Sequence, residues 1–178
     1  MNGFLENIKI YGDKKDKKWL YENWDCYDGP DKRHARMVVE GDYTTEEKRH
    51  FVIVAHHTGT PNAYIQVFPW DSIFYDEEGP IREDWRSDSL SSVHCGSTYY
   101  GPAYWNREND DRTYIGWDYG HAGDYTELPA HWGIVDEGHK WNVAEIMMEI
   151  ARAAYELDER NEEDNEYWDR RKKMKERK

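Results

Sequence analysis

The chain has 178 residues and a mass of 21.4 kDa, enough for one domain with a real core and no need of covalent staples. Acids outnumber bases 37 to 24, a formal charge of −13, yet aromatics reach 15% with nine Trp and fourteen Tyr, which excludes a disordered acidic tail. The longest clean apolar run, Phe51 to Ala55, falls far short of the roughly 20 residues of a membrane span, so no membrane partner is expected.

In chain order, residues 1–18 hold no apolar stretch that fits a signal peptide. Lys17 to Asp25 has the composition of a short helix, and Asp28-Gly29-Pro30-Asp31 is a turn. Met37-Val38-Val39 reads as a short strand ended by Glu40-Gly41-Asp42. Phe51–Ala55, rich in β-branched residues, reads as a central strand. Ala63 to Phe68 follows across a Gly- and Pro-containing turn as its antiparallel neighbour. Residues 71–92 read as a long surface loop, 93–100 and 113–117 as further strands, and Asn106–Arg112 as a charged hairpin tip. Residues 118–140 show no period. Asn142 with Glu145 forms a capping box, after which Val143, Ile146, Met147, Ile150, Ala154 and Leu157 fall on one helical stripe. The expectation is an α+β fold: an antiparallel sheet with a long C-terminal amphipathic helix packed across it. Residues 1–160 form one domain, and 161–178 form a charged helical extension or tail.

The charge is uneven. Residues 51–150 carry 17 acids and 5 bases, a net of −12, whereas residues 1–50 and 151–178 are almost neutral. Such a field repels nucleic-acid phosphate and attracts cations or basic protein surfaces, or it serves solubility alone. Cys26 and Cys95 form no Cys-x-x-Cys pair, which excludes a disulfide framework and a four-thiolate zinc site and makes a reducing cytoplasm the default.

The residues able to carry chemistry cluster. After the strand that ends near Trp117, Asp118, His121 and Asp124 follow at three-residue steps, with Gly120 and Gly123 between them to free the backbone. His94 and Cys95 lie in the preceding strand region, and His56-His57 closes the central strand. His94, Asp118, His121 and Asp124 therefore form a candidate set for a divalent metal or for acid–base work. Tyr99, Trp117, Tyr119 and neighbouring aromatics would line the same place as a ligand-binding surface. Each group also has a plain structural role open to it: Asp118 and Asp124 as turn caps, His94 and His121 as satisfied histidines, Cys95 as a small buried hydrophobe.

Three runs carry a resemblance: Val93-His94-Cys95-Gly96-Ser97-Thr98-Tyr99, then Tyr114-Ile115-Gly116-Trp117-Asp118-Tyr119-Gly120-His121-Ala122-Gly123-Asp124, then Trp141-Asn142-Val143-Ala144-Glu145-Ile146. Together they resemble a family of small bacteriophage-encoded proteins with a His-Gly-Gly-x-Thr-Tyr strand, a Gly-Phe-Asp-Cys-Ala-His-x-Gly-Asp loop and a closing helix. Cys95, Trp117, Tyr119 and Gly120 depart from that pattern, and Tyr119 in the place of its Cys argues against that Cys as an essential nucleophile. The resemblance implies a phage origin and a role in the cytoplasm of the infected bacterial host, with no activity attached. The leading expectation is thus an accessory protein of counter-defence type that binds a host protein through its basic surface, or sequesters a small ligand. The alternative is a metal-assisted hydrolase built on Asp118, His121 and Asp124.

Overall fold

The computed structural model describes residues 3–10, 36–45, 47–55, 60–76, 79–80, 90–103, 105, 110–124, 138–164 and 166–177. The expected helix at 17–25 and turn at 28–31, most of the 106–112 tip, His56, His57, Tyr104 and Tyr125 lie outside the described residues. The ordered elements are β1 (Phe4–Ile10), β2 (Arg36–Thr44), β3 (Lys48–Ala55), β4 (Pro61–Val67), a 3-10 turn (Ser72–Phe74), β5 (Tyr75–Asp76), β6 (Gly79–Pro80), β7 (Tyr99–Pro102), β8 (Thr113–Asp118), α1 (Val143–Glu163) and α2 (Tyr167–Lys175). β1-β2-β3-β4-β8-β7 form a six-stranded sheet with every neighbouring pair antiparallel, and β5 and β6 pair as a small hairpin. The α+β expectation holds.

The apolar run of β3 is continuous because both faces of the strand are covered. Phe51 and Ile53 face α1, together with Ala63 and Ile65 of β4 and Ile115 and Trp117 of β8. Val52 and Val54 face the other way, against Tyr64 and Tyr114. Period-2 alternation then sorts two apolar sets onto two faces. Helix α1 opens on the expected capping box: the Asn142 side chain accepts from the Glu145 amide at 3.0 Å, and the Glu145 carboxylate accepts from the Asn142 amide at 2.9 Å. Its buried stripe of Val143, Ile146, Met147, Ile150, Ala153, Ala154 and Leu157 seals the first face.

Two strand boundaries differ from the sequence reading. Gly41 does not end β2, which runs on to Thr44. A side chain at Gly41 would meet the Phe51 ring at 2.7 Å, so the glycine marks a close approach within the strand and not a break. Residues 93–98 do not form a strand; pairing starts only at Tyr99, after a turn at Cys95 and Gly96 with φ of +53° and +81°. Within the expected 71–92 loop, the 3-10 turn and the β5–β6 hairpin supply local order.

The second half of α1 is held by charge. The Arg49 guanidinium, fully buried, makes a two-pronged pair with Asp71 at 2.7 and 2.9 Å and reaches Asp158 at 3.3 Å. Asn161 and the Phe68 amide also donate to Asp71, at 2.9 and 2.7 Å. Beyond Asp164, α2 forms a second helix: Tyr167 is buried, Arg170 pairs with Asp164, and Arg171 and Lys175 pair with Glu47.

Candidate metal centre

Two turns and the entry to α1 build the site. The first is the turn over residues 93–96, closed by the Gly96 amide on the Val93 carbonyl at 3.2 Å. Cys95 in this turn holds a left-handed φ, which is uncommon for a side-chain-bearing residue, and its thiol is free and exposed. Cys95 is therefore not a buried hydrophobe. The second turn spans residues 121–124, closed by the Asp124 amide on the His121 carbonyl at 3.0 Å. Gly123 has φ of +99°, the freedom expected of it; Gly120 has no such conformation. A third strip, 138–141, is joined on by the His139 amide, which donates to the Gly123 carbonyl at 2.7 Å.

Asp124 ties the three pieces together. Its Oδ2 accepts from His94 Nε2 at 2.8 Å and from the His121 amide at 2.9 Å, and its Oδ1 accepts from Trp141 Nε1 at 2.7 Å. Burial opposes its charge, but these bonds outweigh burial and hold the carboxyl below the usual range. The His94 ring is fixed on three sides. Tyr119 stacks on it at 5.5 Å with 8° between planes, while Trp141 and His121 flank it at 4.9 and 5.3 Å.

One donor atom from each of His94, Cys95 and His121 lies within 4.8 Å of the others. Bonds of about 2.0–2.3 Å from zinc place tetrahedral donors about 3.3–3.8 Å apart, so a closure of roughly 1 Å brings these three around one ion. His121 Nδ1 is shielded from solvent and has no hydrogen-bond partner. It stands 3.6 Å from Asp118 Oδ1 and 3.8 Å from Asp124 Oδ2, too far for a hydrogen bond to either. His121 Nδ1 is thus a shielded, unsatisfied polar atom lying between two carboxylates. Asp118 itself accepts from Thr98 Oγ1 at 3.0 Å and from the Gly120 amide at 3.2 Å, and its side chain is partly open to solvent.

The geometry argues against a thiol nucleophile. A Cys–His–Asp relay needs thiol and carboxylate on opposite ring nitrogens. Here Cys95 Sγ at 3.7 Å and Asp124 Oδ2 at 2.8 Å both address His94 Nε2.

Of the residues expected from the sequence, the structure gathers His94, Asp118, His121 and Asp124, with Tyr119 against the His94 ring. Trp117 lies behind them in the core, its Nε1 directed at Tyr119 and Glu149. Tyr99 is elsewhere: it packs edge-on against Tyr64 on the opposite face of the sheet. Cys95, named from the sequence beside His94 but left out of the metal set, joins the donors; two residues had not been singled out for the site, Trp141, which holds Asp124, and Glu149, which lies buried beneath the first turn. A carboxylate at an apolar-stripe position of α1, three residues after Ile146, was the available signal for Glu149. Comparison with protein-family models, with curated proteins and with solved structures finds no match to this chain.

Proposed function

We propose that the protein binds one divalent ion of the zinc class through His94, Cys95 and His121 and uses it to activate water for hydrolysis. The observation that carries this reading is the convergence of the three donors within 4.8 Å beside a His121 nitrogen that no hydrogen bond satisfies. Two imidazoles and a thiolate select zinc or cobalt over magnesium or calcium, which prefer all-oxygen sites. Three protein ligands leave a fourth position for water, the pattern of catalytic and not of structural zinc. Asp124 joins the His121 turn to Trp141 and gives up its bond to His94 Nε2, the nitrogen that faces Cys95, when that nitrogen takes the ion; Asp118, on the solvent side, is placed to take a proton from the bound water.

Cobalt(II) titration tests the reading, because a thiolate ligand gives an intense near-ultraviolet charge-transfer band and a tetrahedral site gives strong visible bands. Wild type is expected to show both, Cys95→Ser to lose the first, and His121→Ala to lose most of the affinity. A wild-type protein that binds neither cobalt nor zinc at micromolar concentration refutes it.

A second reading is favoured by the net −12 over residues 51–150: a phage-encoded accessory protein that occupies a basic surface of a host protein in the bacterial cytoplasm. It requires salt-sensitive association with a basic host protein that His121→Ala leaves intact. It leaves the His–Cys–His convergence without a role.

A further inference from the structure

Glu149 is an acid of α1 turned into the interface between helix and sheet, beneath the candidate centre. Only 7% of it is exposed, and it sits among Ile146, Met147, Ile150 and Ala153. Its Oε2 accepts from the Tyr119 hydroxyl at 2.7 Å, from Trp117 Nε1 at 3.2 Å and, at the longer distance of 3.4 Å, from the His94 amide. Trp117 Nε1 also donates to the Tyr119 oxygen at 2.8 Å, so the three side chains form a closed buried triangle. The Tyr119 hydroxyl thus serves as donor to Glu149 and as acceptor from Trp117.

A buried carboxylate in an apolar interface is costly unless its bonds serve something. If Glu149 served packing alone, leucine would fit that stripe at lower cost. The two ends of the triangle instead meet His94. One end is a backbone contact that docks the 93–96 turn onto α1. The other is the Tyr119 ring, which lies parallel to the His94 imidazole. A second staple docks the same segment two helical turns further on, where Glu156 accepts from the Ser91 and Ser92 amides at 3.0 and 2.9 Å. Glu156 thus anchors the strip, and Glu149 sets the height and ring plane of the ligand itself.

We infer that Glu149, acting through Tyr119, is a positioning residue for the His94–Cys95–His121 centre. The inference rests on the metal reading above. It acts on the metal at one remove, as residues behind metal ligands do, and such residues are worth about 10–100-fold in affinity.

The experiment compares wild type, Glu149→Gln, Glu149→Leu and Tyr119→Phe as full-length proteins. The cobalt(II) and zinc dissociation constants, the cobalt spectrum and the melting temperature are read on each. Glu149→Gln keeps an acceptor oxygen and is expected to bind within about threefold of wild type. Glu149→Leu removes it and is expected to bind at least about tenfold more weakly with an altered visible cobalt spectrum. Tyr119→Phe, which keeps the stacked ring and loses only the hydroxyl, is expected to fall between them and covers the case in which the leucine variant does not fold. Unchanged metal affinity and spectrum in Tyr119→Phe and in folded Glu149→Leu, whatever their melting temperatures, overturn the inference and spare the metal reading. A wild type without a cobalt spectrum overturns both. Equal losses in the Gln and Leu variants overturn the positioning role, since they make charge and not geometry the cause.

Discussion

Replacing Asp71 by alanine strands the Arg49 guanidinium in the interface of sheet and helix. Both side chains are fully shielded from water, and Asp71 satisfies two Arg49 nitrogens, the Asn161 amide and the Phe68 backbone amide at once. Burial alone would discourage the charge on Arg49; Asp71 and Asp158 more than compensate and hold it firmly protonated. With Asp71 gone the guanidinium still cannot escape the problem by losing its proton, because arginine stays charged in proteins. Removing one partner of such a pair costs about 3–5 kcal/mol. Asp158 at 3.3 Å remains as a weaker partner, which argues for the lower half of that range, while the two other orphaned donors push upward. We expect about 4 kcal/mol. At about 2–4 °C per kcal/mol for a chain of this size, the melting temperature falls by roughly 10 °C. Urea unfolding should show a lower midpoint at an unchanged slope. The double variant Arg49→Met with Asp71→Leu removes both charges and should recover most of the loss. A loss below about 1 kcal/mol in Asp71→Ala would refute the view that this pair anchors the second half of α1.

Ile150→Asp, or Ile146→Asp, puts an unpaired carboxylate into the same interface and should destabilise by several kcal/mol, about 3 or more, in chemical denaturation; a melting curve like that of wild type would mean α1 is not core. His121→Ala deletes a ring nitrogen that makes no hydrogen bond and should cost less than about 1 kcal/mol, while a larger loss would make the residue a structural tie. The Arg170 bond pulls the Asp164 carboxyl down to about 2. Its contribution to stability is present above the ordinary carboxylate range and is lost as pH falls from about 4 towards 2, so Arg170→Ala should flatten that part of an acid-unfolding curve.

The parts of the fold readable from sequence were those set by local periodicity. The capping box and stripe of α1 and the apolar run of β3 each lie within a few residues of chain, and the structure keeps them. β1 escaped notice because its pattern is polar: as an edge strand it carries Glu6, Asn7 and Lys9, and exposes Phe4 and Ile8. Gly41 misled for a different reason, since the ring that needs its missing side chain comes from the neighbouring strand. The same division holds for the site. His121 and Asp124 share one turn, so their spacing revealed them. Cys95 enters through a left-handed turn, Trp141 through a carboxylate 17 residues earlier, and Glu149 through a loop 55 residues away, and no local pattern records such meetings.

Helix α2 has a different standing from the rest. It buries a single residue, Tyr167, and otherwise rests on part-buried ion pairs, Arg171 and Lys175 on Glu47 and Arg170 on Asp164, with Arg170 also lying over the Tyr75 ring. Such pairs are screened by salt less than exposed ones but more than the apolar contacts of α1. The chain therefore contains two units of unequal cooperativity. In hydrogen exchange, the amides of residues 167–175 should open far below the global unfolding free energy and faster still in high salt. Each opening lifts Lys175 from the Trp70 ring, so among the nine tryptophans the difference in fluorescence between the wild type and Trp70→Phe reports the lifting of one helix.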